Sequence, residues 1–171
     1  MRRLSLPAAR RRANDVLRRV TLPSPWSLED FIGGVAATRG RPIVVEPATM
    51  SHHAVRATAL WVAQPELDLI VVDDTASELY RENATLHELA HMLLGHEGLP
   101  VPQQAGAPVP PAEPTRVLHR RHHSDQRELE AETLAYAIWR AAGRRRALTA
   151  AHTGSNRLLT SAFEFPGKAH R

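Results

Sequence analysis

The sequence predicts an α+β fold: a small antiparallel or mixed sheet with helices packed around it. Three observations predict this. Short β-branched runs cluster between residues 42 and 72. Helix-period apolar stripes with capping residues lie on both sides of that cluster. The chain has 171 residues, 43% of them hydrophobic and 23% charged, which suits one core and is too short for two comfortable domains. The expected organisation is a single domain over residues 1–143, containing a Pro-rich loop at 98–123. A basic, partly disordered tail follows over 144–171.

The elements follow in order. Residues 8–20 read as a short basic helix, with Ala9, Ala13, Val16, Leu17 and Val20 near one face. Pro23-Ser24-Pro25 breaks it. Ser27 opens a second helix with Asp30 as capping-box partner; it carries Phe31, Ile32, Val35 and Ala36 and stops at Gly40. Residues 42–46, 57–63 and 67–72 read as strands, the last two joined by a turn at Pro65. Thr75-Ala76-Ser77-Glu78 is a second capping box. The helix it opens runs to Leu94, before Gly95 and Gly98, with Leu79, Leu86, Ala90 and Leu93 as one apolar stripe. Residues 98–114 are too rich in proline for a helix or a central strand. The last good helix spans about Asp125 to Ala142, capped by Ser124 or Asp125 and ended by Gly143. Leu129, Leu134, Ala135, Ile138 and Ala142 form its buried stripe, and 156–163 is expected to form a turn of helix.

Composition narrows the chemistry. There are no cysteines, so disulfides, thiolate zinc sites and a cysteine nucleophile are excluded. A metal must be held by His, Asp or Glu. No apolar run reaches about eighteen residues, so no transmembrane helix and no membrane partner are expected. Arg10-Arg11-Arg12 stands where a signal peptide needs its apolar stretch, and a cytoplasmic protein is expected. The net charge is +4; the basic residues are nearly all arginine, and many of them sit in two places, Arg2 to Arg19 and Arg140 to Arg146. Such clusters suit nucleic acid or an acidic partner, but no groove-reading motif accompanies them. A solvated helix face is the competing reading.

The run His87-Glu88-Leu89-Ala90-His91 carries the sharpest signal. Its two histidines stand one helical turn apart, about 6 Å along the axis, on the same face. That spacing lets both imidazoles bind one tetrahedral Zn²⁺. Glu88 sits beside that face, within reach of a water but outside the ligand set. As general base it takes the proton of a water that zinc has made acidic. Shuffling a chain with 10 histidines yields H-E-x-x-H in roughly one case in 25, so context matters. Here the run lies inside a capped helix directly after a strand.

A catalytic zinc needs a third protein ligand and an open position. Glu128, at the start of the last helix, is the candidate. Glu132, one turn on, is expected to hold a ligand histidine by hydrogen bonding. Glu130 points elsewhere by helical geometry and is expected to be solvated. The competing reading of Glu128 and Glu132 is an acidic helix N-terminus favoured by the helix dipole. His96 reads as a surface histidine past the helix end. His119, His122 and His123 read as exposed in a basic loop, with an oxyanion-stabilising role as the alternative. His52 and His53 read as solvated, and Trp61 and Trp139 as core.

These residues carry a resemblance. His87-Glu88-Leu89-Ala90-His91-Met92-Leu93-Leu94-Gly95-His96 followed by Glu128-Leu129-Glu130-Ala131-Glu132-Thr133-Leu134-Ala135 resembles the ImmA/IrrE family of metallopeptidases. Its pattern is H-E-h-G-H-x-h-h followed by E-x-E-A-N/D/E-x-h-A, and the likeness covers about residues 27–142. Ala90 stands where the family usually has Gly. Ala137-Ile138-Trp139-Arg140 replaces the family's usual Leu-Leu-Met-Pro. The resemblance implies a zincin-like active-site helix, with His87, His91 and Glu128 as metal ligands and Glu88 as general base. Glu132 falls at the family's Asn/Asp position.

The resemblance also implies one Zn²⁺ per chain, with Mn²⁺ or Fe²⁺ open because two histidines and a carboxylate suit them too. It implies a bacterial or phage-borne, cytoplasmic regulator. The protein substrate would be a helix-turn-helix repressor or an antitoxin of a toxin–antitoxin pair or mobile element. The 98–123 loop is expected to gate the cleft. The alternatives are a non-proteolytic zinc module that sequesters its partner, and a nucleic-acid binder using the arginine clusters. The oligomeric state stays open.

Overall fold

The computed structural model describes residues 5–49, 59–97, 99–100 and 125–163. Four helices and four strands follow in the order α1 (Leu6–Leu17), α2 (Leu28–Arg39), β1 (Ile43–Ala48), β2 (Ala59–Ala63), β3 (Asp68–Asp73), α3 (Glu78–Leu93), β4 (Leu99–Pro100) and α4 (Asp125–Phe163). The α+β class expected from the sequence holds, and the sheet is mixed.

Local chemistry sets most boundaries. Ser5 caps α1 through its hydroxyl and Pro7 sits in the first turn, so the helix starts two residues before the expected Ala8. Ser27 Oγ accepts the Asp30 amide, and Gly40, at φ 69°, ends α2 in the left-handed conformation that only glycine adopts without strain. One cap differs from expectation. Thr75 does not open α3; its hydroxyl and amide both bond Asp73 Oδ1 in a tight turn, and Ser77 takes the cap by accepting the Tyr80 amide.

The sheet order is β1-β3-β2-β4. β1 runs parallel to β3, with Ile43 opposite Asp68, and β2 pairs antiparallel with β3 through the turn at Pro65. The two-residue β4 lies parallel to β2 on the far edge. Residues 99–100 were expected to be loop. Their pairing at an edge agrees with proline being excluded only from central strands. The remainder of the Pro-rich loop, the proposed gate, His52, His53, His119, His122 and His123 lie outside the described residues.

Inside β3 the buried positions Asp68, Ile70 and Val72 alternate, as the period of a strand requires. Asp68 is fully buried and fully engaged: Trp61 Nε1 donates to it at 2.9 Å, Arg39 bonds it through Nε and NH2, and Arg41 Nε lies at 3.4 Å. The pairing satisfies a charge that could not otherwise stay in the core.

α3 lies on the sheet, α4 packs on α3, and α1 packs on α4. The core joins Phe31 and Val35 of α2, Trp61 and Ile70 of the sheet, Leu86 and Leu89 of α3, and Leu134 and Ile138 of α4. Leu79 does not join the α3 stripe. It is 55% exposed, and burial begins only at Ala84, where the helix meets its neighbours. Trp139 is also surface rather than core, 36% exposed and stacked on Tyr136.

The largest departure is α4, which runs 39 residues, straight through Gly143 to Phe163. The segment read as a basic, partly disordered tail is thus helical as far as Phe163. Gly143 is not in the left-handed conformation, the requirement for glycine to end a helix, and good helix formers follow it. Arg146 beyond it bonds Glu82 at 2.6 Å, and Glu82 also accepts from Trp26 Nε1 at 3.1 Å. This ties the extension to α3 and to the start of α2.

Candidate metal centre

α3 runs from its Ser77 cap with no glycine or proline until Gly95, which keeps His87 and His91 in helical register. The helix presents its buried face, Leu86, Leu89 and Ala90, to the core. His91 is buried on that side, while His87 stands at the edge, half-buried. α4 crosses α3 along Ala131, Leu134 and Ile138, all fully buried. Glu128 and Glu130 flank Ala131 on opposite sides of that contact line, at about 60° and 100° around the helix. Each carboxylate is thereby delivered to a different part of α3.

Glu128 meets the histidine pair. His87 Nε2 and His91 Nε2 are 3.1 Å apart. Glu128 Oε2 is 3.4 Å from His87 Nε2, and its Oε1 is 3.6 Å from His91 Nε2. A tetrahedral ion bound at about 2.0–2.1 Å spaces its donors about 3.3–3.4 Å apart. Two imidazole nitrogens and one carboxylate, from two helices far apart in sequence, thus lie at separations near the edge length of such a tetrahedron, each histidine facing a different oxygen of Glu128. Among the described residues these three form a group able to hold a metal ion, with all ligand atoms within 4.8 Å of one another. Glu128 is exposed, so the group opens toward solvent on the His87–Glu128 side.

Electrostatics follow from this crowding. Burial works against a charged His87, but the hydrogen bond to Glu128 and the charges of Glu88, Glu128 and Glu132 outweigh it and raise its pKa above the ordinary 6.5. Glu88 is half-buried. Desolvation pushes its carboxyl up to about 7; Glu128 adds to the rise, while the charge of His87 and a hydrogen bond from the Trp61 backbone oppose it.

The structure thus brings His87, His91 and Glu128 together, with Glu88 next to His87 on α3. Glu132 lies further round α4, exposed, and acts on His87 through charge. Two expectations are overturned. His96 is not a surface residue: it is 7% exposed, and its Nδ1 lies 2.9 Å from His91 Nδ1. Glu130 is not solvated: it is 8% exposed, 3.7 Å from His96 Nε2, and bonded by Arg12 at 2.5 Å and Gln126 at 2.9 Å.

A local signal for His96 was present. Gly95, at φ 70°, ends α3 with the His96 amide bonded to His91 O and the Gly95 amide to Met92 O. In that helix ending the second residue past the cap folds back onto the side chain five positions earlier. Nothing comparable marked Glu130, whose burial depends on α1 packing beside α4.

No family model, no curated protein and no solved structure matches the chain.

Proposed function

We propose that this chain is a zinc-dependent endopeptidase of the ImmA/IrrE type, acting on a partner protein such as a helix-turn-helix repressor. In this reading α3 is a zincin-like active-site helix in a cytoplasmic regulator. The observation that carries it is the convergence of His87 Nε2, His91 Nε2 and the Glu128 carboxylate, with Glu88 next to His87 in the same helix. His87, His91 and Glu128 would hold the ion. Bound there, zinc supplies Lewis acidity, which makes a water acidic and polarises a scissile carbonyl.

The remaining chemistry belongs to the chain. Glu88 receives the proton of the attacking water and returns it to the leaving amine, so one carboxylate serves as base and then acid. The Trp61 backbone N–H holds that carboxylate in place. Among the described residues no helix is long and apolar enough to cross a membrane, which agrees with a partner met in solution.

The test pairs metal content with cleavage. Purified wild type should carry about one zinc per chain by elemental mass spectrometry. Glu128→Ala should lose it. Glu88→Gln should keep zinc and lose all cleavage of the partner repressor. Wild type that stays metal-free after zinc reconstitution would refute the reading. A Glu88→Gln protein that still regulates its partner would instead establish a non-proteolytic zinc module.

A further inference from the structure

We propose that His96 is the positioning residue for the ligand His91, with the Glu130 carboxylate, anchored by Arg12 and Gln126, facing the other nitrogen of the His96 ring. This inference rests on the metal-site reading above.

The argument is a chain of proton placements. His91 Nε2 faces His87 and Glu128, so it is the ligand atom. A ligand nitrogen is unprotonated, which puts the proton of neutral His91 on Nδ1. That atom lies 2.9 Å from His96 Nδ1, so His91 donates and His96 accepts. Accepting at Nδ1, His96 carries its own proton on Nε2. His96 Nε2 faces Glu130 Oε2 at 3.7 Å. Glu130 accepts from Arg12 NH1 at 2.5 Å and from Gln126 Nε2 at 2.9 Å, which fixes the carboxylate at the end of the chain. Arg12 NH2 also donates to Leu94 O at 2.8 Å, tying α1 to the turn that carries His96.

Ligand histidines commonly give their second N–H to a carboxylate or carbonyl, which fixes ring and tautomer. Here a second imidazole stands between ring and carboxylate. His91 and His96 are both buried, so neither ring can exchange this partner for water without moving. The backbone also enforces the contact, since the left-handed Gly95 folds His96 onto His91. The arrangement predicts a polar requirement at position 96: an apolar side chain of similar bulk fills the space but leaves the His91 N–H without an acceptor.

The experiment compares wild type, His96→Leu and His96→Asn as metal-free full chains. Zinc affinity is read by competition with a chelating dye, and the fold by the thermal midpoint without metal. His96→Leu should bind zinc about 10–100-fold more weakly. His96→Asn, whose Oδ1 can replace the accepting Nδ1, should recover most of that loss. Equal affinity of wild type and His96→Leu overturns the relay and leaves the metal site standing. A wild type that takes up no zinc overturns the metal reading, and the relay with it. If His96→Leu does not fold, long-range ¹⁵N–¹H imidazole spectra of zinc-loaded wild type decide. Protons on His91 Nδ1 and His96 Nε2 support the relay; the opposite tautomer at either ring overturns it.

Discussion

Glu88 is a carboxyl whose surroundings disfavour its charge in the metal-free protein. Its pKa rises from 4.5 to about 7, chiefly through desolvation. The folded state therefore holds the proton more tightly than the unfolded chain between those values. The resulting cost to stability is absent below about pH 4.5, grows through the window and is fully present above about pH 7. Glu88→Gln keeps the shape and removes the ionisation. Chelator-treated Glu88→Gln should thus melt higher than wild type at pH 8 and with it at pH 4, as differential scanning calorimetry can measure. Identical midpoints at both pH values would contradict the assigned burial. Asp68 is a buried carboxylate engaged by the Trp61 indole, Arg39 and Arg41. Asp68→Ala strips the partner from Arg39, Arg41 and the Trp61 indole. The two guanidinium groups keep some access to water, so the loss should fall near the low end for a broken buried pair, about 3 kcal/mol by urea unfolding.

Glycine shows how one residue type acts differently in different elements. Gly95 sits at φ 70°, where a Cβ is strained, whereas Gly143 lies within α4 without positive φ and with open space around its would-be Cβ. Gly143→Ala should therefore stabilise the protein by about 0.5–1 kcal/mol, the ordinary helix-propensity gain. Gly95→Ala should destabilise it by about 1 kcal/mol and disturb the seat of His96. Matched denaturant titrations of the two variants check both signs. The same pair explains what was legible in the sequence. Caps, strand alternation and the His87–His91 spacing are written within a few residues, so they could be read. The sequence identified the helix bearing Glu128 because its acidic start and apolar stripe are local too. Where α4 ends was not legible, because its continuation past Gly143 is supported by Arg146 reaching Glu82 on another helix. The burial of Glu130 was not legible for a similar reason: helical spacing relates it to Glu128, but only the packing of α1 on α4 decides that it is covered.

At the scale of the molecule, the proposed ion joins two helices that the chain itself brings together only through packing. His87 and His91 stand on α3 and Glu128 on α4, so an ion bound by all three clamps the N-terminal end of α4 to the sheet-bearing half. The unfolded chain cannot hold three donors in one place, so the proposed zinc would bind the folded state in strong preference. Free zinc at 100 times its dissociation constant should then add about 2.7 kcal/mol of stability. For a chain of this size that corresponds to a thermal midpoint about 5–10 °C higher. Glu128→Ala should respond far less, since the two histidines alone leave α4 unclamped. Hydrogen exchange localises the effect: adding chelator should speed exchange most in the first turns of α4 and around His87 and His91, and leave the β1–β3 pairing unchanged. A zinc-induced rise in midpoint that survives Glu128→Ala in full would place the bridging carboxylate elsewhere.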